Sequence, residues 1–141
     1  MFVALVITLA GLAVLGWQYR QIENKRLPAL EEELEQQRTA MEKRDAQDIL
    51  ERFMASRIRG DEIQATLYLT ERAVEQKETS SFELTDNSYV GFNVLESQAL
   101  SEGEFRFTVS VYKEGVGEIV EIIIMEKILD AYYVDSVERA G

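Results

Sequence analysis

The segment EFRFTVSVYKEGVGEIVEIIIMEKI, residues 104–128, decides the fold class of this chain. Apolar and polar side chains alternate over residues 105–112, which predicts an antiparallel strand with one face in a core. Residues 114–117, Glu-Gly-Val-Gly, predict a turn because glycine accepts backbone conformations that other residues disfavour. From residue 119 to 128 both faces are apolar, as expected of a central strand. Two long strands joined by a short turn therefore predict an antiparallel sheet.

The sequence on either side of this segment extends the sheet. Residues 90–100 contain the alternating set Val90, Phe92 and Val94, and a turn is predicted at residues 101–103, Ser-Glu-Gly. After a turn at Asp130-Ala131, residues 132–138 predict the last strand. We therefore expect a meander of four strands.

Helical patterns precede the strands. Five apolar residues share one helix face by the i, i+3, i+4, i+7, i+8 spacing: Ala46, Ile49, Leu50, Phe53 and Met54. Gly60 is predicted to end this helix and Asp61 to cap the next, while Thr70 is predicted to cap a third. Helices followed by a run of strands indicate the α+β class, with the helices packed on one sheet face.

The N-terminal residues 2–17 form an apolar run without charge that ends at Trp17, and Tyr19 and Arg20 follow as at a membrane interface. We predict a transmembrane anchor over residues 1–19 that contacts the lipid bilayer through residues 2–19. A cleaved secretory signal and a buried core helix are the alternatives, and both fit less well. No basic residue precedes the run, and only Thr8 interrupts its apolar character.

Residues 20–44 predict a helical stalk between the anchor and a domain of residues 45–141. Pro28, the only proline, is expected to break this helix. Leu27, Leu30, Leu34 and Met41 lie on a heptad seam, but fewer than three heptads are sustained. A solvated spacer is therefore favoured over a dimerising coiled coil.

Composition excludes several functions. The net charge is −11, which argues against nucleic-acid binding because phosphates need basic surface. The chain has no cysteine and no histidine, so disulfides, thiol nucleophiles and the commonest general base and metal ligands are absent. We expect no metal and no cofactor.

Residues 48–75, DILERFMASRIRGDEIQATLYLTERAVE, and the closing strand YYVDSVE, residues 132–138, resemble the nuclear transport factor 2-like superfamily. The resemblance covers residues 46–138, in pattern more than in identity. It implies a cone, in which a curved antiparallel sheet wraps around a long first helix. It does not imply one function, since this fold hosts isomerases, dehydratases, transport adaptors and non-catalytic modules.

Three functions follow as hypotheses. The leading one is a non-catalytic, membrane-tethered binding or accessory module of the cell envelope, whose sheet face Arg106, Thr108, Ser110 and Tyr112 contacts a partner or a second copy. The second is a ketosteroid isomerase-like enzyme with Asp135 as base and Tyr112, Tyr132 or Tyr133 as donors. The third is a bitopic scaffold that associates through its stalk.

The side of the membrane on which the domain lies is predicted by two conflicting signals. Arg20, Lys25 and Arg26 follow the anchor and favour a cytoplasmic domain by the positive-inside rule. Membrane-tethered bacterial relatives in the superfamily mostly face outward. We expect an extracytoplasmic domain on the strength of that resemblance.

Overall fold

The computed structural model describes residues 2–80 and 82–141, with side chains from residue 12 onward. Within these residues the chain forms three helices followed by four strands. Their bounds are α1 Phe2–Ile58, α2 Glu62–Leu67, α3 Glu71–Thr79, β1 Tyr89–Ser101, β2 Glu104–Lys113, β3 Gly117–Ile128 and β4 Ala131–Arg139. Packing divides the chain into residues up to Thr39 and a compact unit, Ala40–Gly141.

The sheet confirms the predicted α+β class. Its four strands are antiparallel neighbours in the order β1-β2-β3-β4. Gly103 and Gly117 lie in the predicted turns with φ of 73° and 97°, values that favour glycine. The last turn falls one residue earlier than predicted, at Leu129-Asp130, and Leu129 itself adopts a φ of 57°.

The core lies between α1 and one face of the sheet. Ala46, Leu50, Phe53 and Met54 are fully buried, as their helical spacing predicts, and Ile49 packs against them at the margin. Their partners on β2 are the alternating residues of the predicted strand: Phe105, Phe107, Val109 and Val111. Each large apolar side chain buried in this way contributes about 1.5–3 kcal/mol relative to exposure.

The predicted end of the first helix is confirmed. Gly60 has a φ of 72°, and the amide of Asp61 donates to the carbonyl of Ser56 at 3.0 Å, which closes the last turn. The Asp61 carboxylate caps α2 by accepting from the amide of Gln64 at 3.1 Å. The Thr70 hydroxyl caps α3 in the same way at the amide of Ala73.

The prediction of a break at Pro28 is wrong, because α1 continues through it. Proline removes one backbone hydrogen bond but need not end a helix. Ala29, Leu30 and the glutamates that follow are strong helix formers, which favours continuation.

The predicted anchor falls mainly on residues 2–11, whose side chains lie outside the described part of the chain. Among the residues that the structure describes, no helix combines the length and apolar character needed to span a bilayer.

Candidate functional site

A buried arginine lies at the C-terminal end of the core face of α1. Arg57 follows Phe53 and Met54 by one helical turn, so the helix carries it into the same apolar environment. Its side chain is fully buried. An unpaired buried charge would cost several kcal/mol, and the surrounding residues must therefore compensate it.

The compensation comes from β3 and from the segment that precedes β1. The Arg57 guanidinium donates to both carboxylate oxygens of Glu121, at 2.6 Å and 3.2 Å. It also donates to the carbonyl of Leu84 at 2.8 Å and to that of Glu83 at 3.1 Å. These contacts connect α1, the 82–88 segment and the sheet through one side chain. Its guanidinium donors are therefore committed to the fold.

Aromatic rings enclose the same guanidinium. Its central carbon lies 5.5 Å from the ring centroid of Phe53 and 5.2 Å from those of Phe82 and Tyr89. Cation–π attraction is strongest where both groups are shielded from water, as here. Burial raises the pKa of the Tyr89 hydroxyl, which therefore stays protonated at neutral pH.

A second, more exposed ion-pair cluster flanks Tyr89. The Lys113 ammonium pairs with Asp86 and with Glu83, and it lies 5.5 Å from the Tyr89 ring centroid. The hydrogen bond from Lys113, with further hydrogen bonds from the amide and hydroxyl of Ser88, lowers the pKa of Asp86 well below its usual range. The same contact with Asp86 raises the pKa of Lys113. Both groups are therefore charged at neutral pH.

A cavity of about 550 Å³ opens beside these two clusters. Its walls combine aromatic, amide and charged side chains, including Phe82, Tyr89, Gln76, Lys113 and Arg139. Gln76 is engaged with the backbone of Val137, and Lys113 with its two carboxylates. Among the residues that the structure describes, no group of acidic side chains is arranged to hold a metal ion.

Asp135, the predicted base of the isomerase hypothesis, lies at a β-bulge in β4, between Val134 and Ser136. One carboxylate oxygen accepts from the Thr70 hydroxyl at 2.9 Å, and the other accepts from Arg72 at 3.2 Å. Both oxygens thus connect β4 to the start of α3.

The three candidate donor tyrosines are distributed over both sheet faces. Tyr132 is buried in the core with its ring centroid 5.9 Å from that of Phe105. Tyr133 pairs with Glu126 on β3. Tyr112 lies at the far end of β2, opposite Glu118 and Gly91. The described contacts of Asp135 are with Thr70 and Arg72.

The predicted interface residues lie on the outer face of the sheet, away from α1. Arg106, Thr108 and Ser110 are directly opposite Ile124, Ile122 and Val120 of β3, respectively. We call these three β3 residues the outer apolar stripe; each is half-buried. Arg106 and Tyr112 are exposed and Thr108 is half-buried.

The predicted interface included Ser110 as a contact residue, and the structure differs at this position. It is fully buried, and its hydroxyl donates to the Glu118 carboxylate on the neighbouring strand. The short serine side chain lies beneath the longer glutamate, so Ser110 is not available for contact.

Sequence reasoning missed the pair Arg57 and Glu121. Each is a single charge within an otherwise apolar face, Arg57 after Phe53 and Met54, and Glu121 between Ile119 and Ile123 on the core side of β3. A basic residue on the apolar face of a helix, together with an acidic residue on the apolar face of a strand, would have predicted a buried ion pair.

No family model, no curated protein and no solved structure matches this chain.

Proposed function

We propose that this chain is a membrane-tethered, non-catalytic binding module whose compact unit is a nuclear transport factor 2-like domain. The observation that carries the proposal is the outer sheet face. There the outer apolar stripe is half-buried on β3, and the neighbouring strand β2 carries the exposed side chains of Arg106 and Tyr112. Apolar surface rimmed by polar side chains is typical of a protein-binding site.

The polar groups inside the unit support a non-catalytic role. The Arg57 guanidinium and the Glu121 carboxylate bind each other, and the two oxygens of Asp135 accept hydrogen bonds from Thr70 and Arg72. A general base needs an oxygen that reaches a substrate proton. Each oxygen of Asp135 accepts one hydrogen bond and keeps a further lone pair, so the isomerase alternative assigns the base role to an oxygen that is held by Thr70 or Arg72. Under that alternative, Asp135→Asn abolishes turnover while the chain stays folded.

The nuclear transport factor 2-like assignment is supported by the order of elements. A long helix, two short capped helices and an antiparallel sheet follow one another, and the sheet packs on α1 through Phe53 and Phe107. The backbone of Val134 in the closing strand exchanges hydrogen bonds with Tyr68 and Thr70, at 2.7 Å and 2.9 Å. These are the segments on which the sequence resemblance rests.

The outer sheet face is tested by site-specific photo-cross-linking in the cells that make the protein. A benzophenone amino acid is placed at Tyr112 in the full chain, and a matched control is placed at Ile63 of α2, which is 81 % exposed. We expect a discrete adduct with another protein from Tyr112 only, and its loss on Ile122→Glu. Equal labelling from both positions would overturn the proposal, and an adduct between two copies would establish the homodimer alternative.

The membrane tether is supported by the uncharged residues 2–17 and the aromatic residues that follow. The chain lacks cysteine, so Leu129→Cys, at a turn residue that is 92 % exposed, supplies a single thiol. Intact cells are treated with a membrane-impermeant maleimide. Labelling before lysis is the expected result for an extracytoplasmic domain. Labelling only after lysis would place the domain in the cytoplasm.

A scaffold that associates through its stalk is the second candidate. Leu27, Leu30, Leu34 and Met41 lie along α1 with 52–68 % of each side chain exposed. An unpaired apolar seam favours a helical partner. If this alternative holds, the double substitution Leu30→Ala with Leu34→Ala abolishes self-association of the full chain, while Ile122→Glu leaves it unchanged.

A further inference from the structure

Two glutamates lie directly opposite one another on the outer face of the sheet. Glu104, the first residue of β2, pairs with Glu126 of β3, and both side chains are half-buried. Like charges at directly opposed positions of an antiparallel pair repel one another and destabilise the sheet. Among the residues that the structure describes, no basic side chain forms an ion pair with either glutamate. The free chain therefore retains this repulsion.

A depression of about 420 Å³ opens beside this pair, and we call it the acidic depression. Its walls include Glu104, Glu126 and Asp135, together with Ile124 at the end of the outer apolar stripe. Arg72 also lines the depression, where it bonds with Asp135 at 3.2 Å. Since the carboxylates of the described residues are not grouped to hold a metal ion, a cationic side chain fits the depression better.

On β1, three bulges decide which residues belong to the outer face. The register with β2 shifts three times, and each shift leaves one extra residue in β1: Val90, Leu95 and Leu100. Without the second shift, Glu96 would lie on the same side of β1 as Val94, which faces the core. The shift instead places Glu96 opposite Thr108, on the outer face.

The outer face as a whole is acidic. Five glutamates of the four strands occupy outer-face positions: Glu96, Glu104, Glu118, Glu126 and Glu138. Within the described strands, Arg106 is the single basic residue on this face, opposite Ile124. Glu138 is directly opposite Ile122, so acidic side chains border the outer apolar stripe on β4 as well as at the acidic depression. A partner with basic side chains complements this surface.

The outer apolar stripe indicates the shape of that partner. β3 carries apolar side chains on both faces, but Ile123 and Met125 on the inner face are fully buried while the outer row remains half-buried. Sheets of the α+β class bury an apolar face against helices. From Val120 to Ile124 the stripe is about 13 Å long, which matches roughly two turns of a helix.

We propose that the partner of the outer face is a short amphipathic helix of another protein with basic residues beside its apolar face. One lysine or arginine enters the acidic depression between Glu104 and Glu126, and the apolar face covers the outer apolar stripe. A cation between the two carboxylates replaces their repulsion by charge-assisted hydrogen bonds. The inference rests on the proposed binding role of this face and specifies its partner. A second copy fits less well, because each copy carries a net charge of −11.

A pair of designed peptides tests the chemistry of the partner. Both are fluorescein-labelled helices of about 15 residues with the same leucine face, and they carry either lysine or glutamate at the other positions. Binding to the full chain in a non-ionic detergent is measured by fluorescence anisotropy. We expect the lysine peptide to bind at least about tenfold more tightly than the glutamate peptide. Equal binding of the two peptides would overturn the proposal.

Charge-matched variants separate the acidic depression from general attraction to an acidic protein. The double substitution Glu104→Gln with Glu126→Gln removes two negative charges, and so does the control Glu75→Gln with Glu78→Gln, at exposed positions of α3. We expect the first to weaken binding of the lysine peptide about tenfold and the control to change it less than about twofold. Equal effects would overturn the proposal, because binding would then follow net charge alone.

The stability of the free chain supplies an independent measurement. Glu104→Gln with Glu126→Gln removes the like-charge repulsion, so the urea midpoint of unfolding is expected to rise while peptide binding weakens. Opposite changes in stability and binding are the mark of residues kept for a partner. A double variant that is less stable than the unmodified chain would show that the two carboxylates support the fold, and would overturn the proposal.

Ile122→Glu distinguishes failure of this inference from failure of the proposed function. It adds a negative charge, so weaker binding of the lysine peptide can arise only from the outer apolar stripe. If Ile122→Glu weakens binding and the Glu104 and Glu126 double variant does not, the binding face stands and its basic partner is overturned. If neither variant weakens binding, the inference is overturned, and photo-cross-linking from Tyr112 separately decides the proposed function.

Discussion

At the scale of single residues, the buried ion pair of Arg57 and Glu121 connects separate parts of the compact unit. Arg57 is fully buried and yet serves as a structural link, because its guanidinium satisfies the carboxylate of Glu121 and two backbone carbonyls. A buried ion pair is expensive to assemble and more expensive to break. The pair of Arg57 and Glu121 therefore specifies how α1, β3 and the 82–88 segment pack against one another.

Removing one partner of this pair is expected to destabilise the chain strongly. Glu121→Leu leaves the Arg57 charge buried without its carboxylate, which costs about 3–5 kcal/mol. The double variant Arg57→Met with Glu121→Leu removes both charges and should recover most of that loss. Urea unfolding of the full chain, followed by the near-ultraviolet tyrosine signal, measures both. A double variant no more stable than Glu121→Leu would show that the backbone contacts of Arg57 dominate.

Asp86 is expected to titrate abnormally. Its pKa in the folded chain is lowered, chiefly by the hydrogen bond from Lys113, from an ordinary value of 3.8. A lowered pKa means that the stabilisation is present above 3.8 and is lost as the pH falls through the folded value. The carboxyl carbon resonance of Asp86 should therefore shift only at pH values well below the ordinary range. Lys113→Met is expected to raise the pH midpoint of this titration. An unchanged midpoint would show that Lys113 is not the cause of the lowered pKa of Asp86.

At the scale of elements, sequence patterns predicted the helix caps and the strands because these depend on neighbouring residues. Gly60, Asp61 and Thr70 act as predicted. The bulges of β1 and the pairing of Arg57 with Glu121 depend on contacts between distant segments, 64 residues apart for the ion pair. Alternation alone therefore predicted a regular strand at residues 90–100. Alternation also predicted an exposed Ser110. The residue that covers Ser110 is Glu118, which lies on another strand and therefore does not enter a pattern within β2.

Gln76 is expected to stabilise the β4 edge as a substitute for a neighbouring strand. Gln76→Ala removes two hydrogen bonds to Val137 and should lower the free energy of unfolding by about 1–3 kcal/mol. Gln76→Glu keeps an acceptor for the Val137 amide but, when ionised, has no donor for its carbonyl, so an intermediate loss is expected. Amide hydrogen exchange at Val137 should accelerate in both. Gln36→Ala, at an exposed position on α1, is the control for loss of a glutamine side chain.

At the scale of the whole molecule, net charge opposes association. Each copy carries −11, so two copies repel one another over distances that salt screens.

A homodimer of the full chain, the alternative tested by cross-linking from Tyr112, is therefore expected to tighten as salt increases. Between about 20 and 300 mM sodium chloride the Debye length shortens from roughly 20 Å to roughly 6 Å, so repulsion between the acidic surfaces decreases. The dissociation constant of the full chain, measured by sedimentation, should fall several-fold. A constant that rises with salt would instead indicate an interface made of opposite charges.

The three extra residues of β1 also determine the shape of the sheet. β1 uses 13 residues to follow the 10 residues of β2, so two adjoining ribbons of unequal length run side by side. Such a pair cannot remain flat, and the longer ribbon must take the outer arc. Val90, Leu95 and Leu100 thus act as spacers that bow the sheet. Deleting those three residues would remove the bend that each bulge introduces into β1.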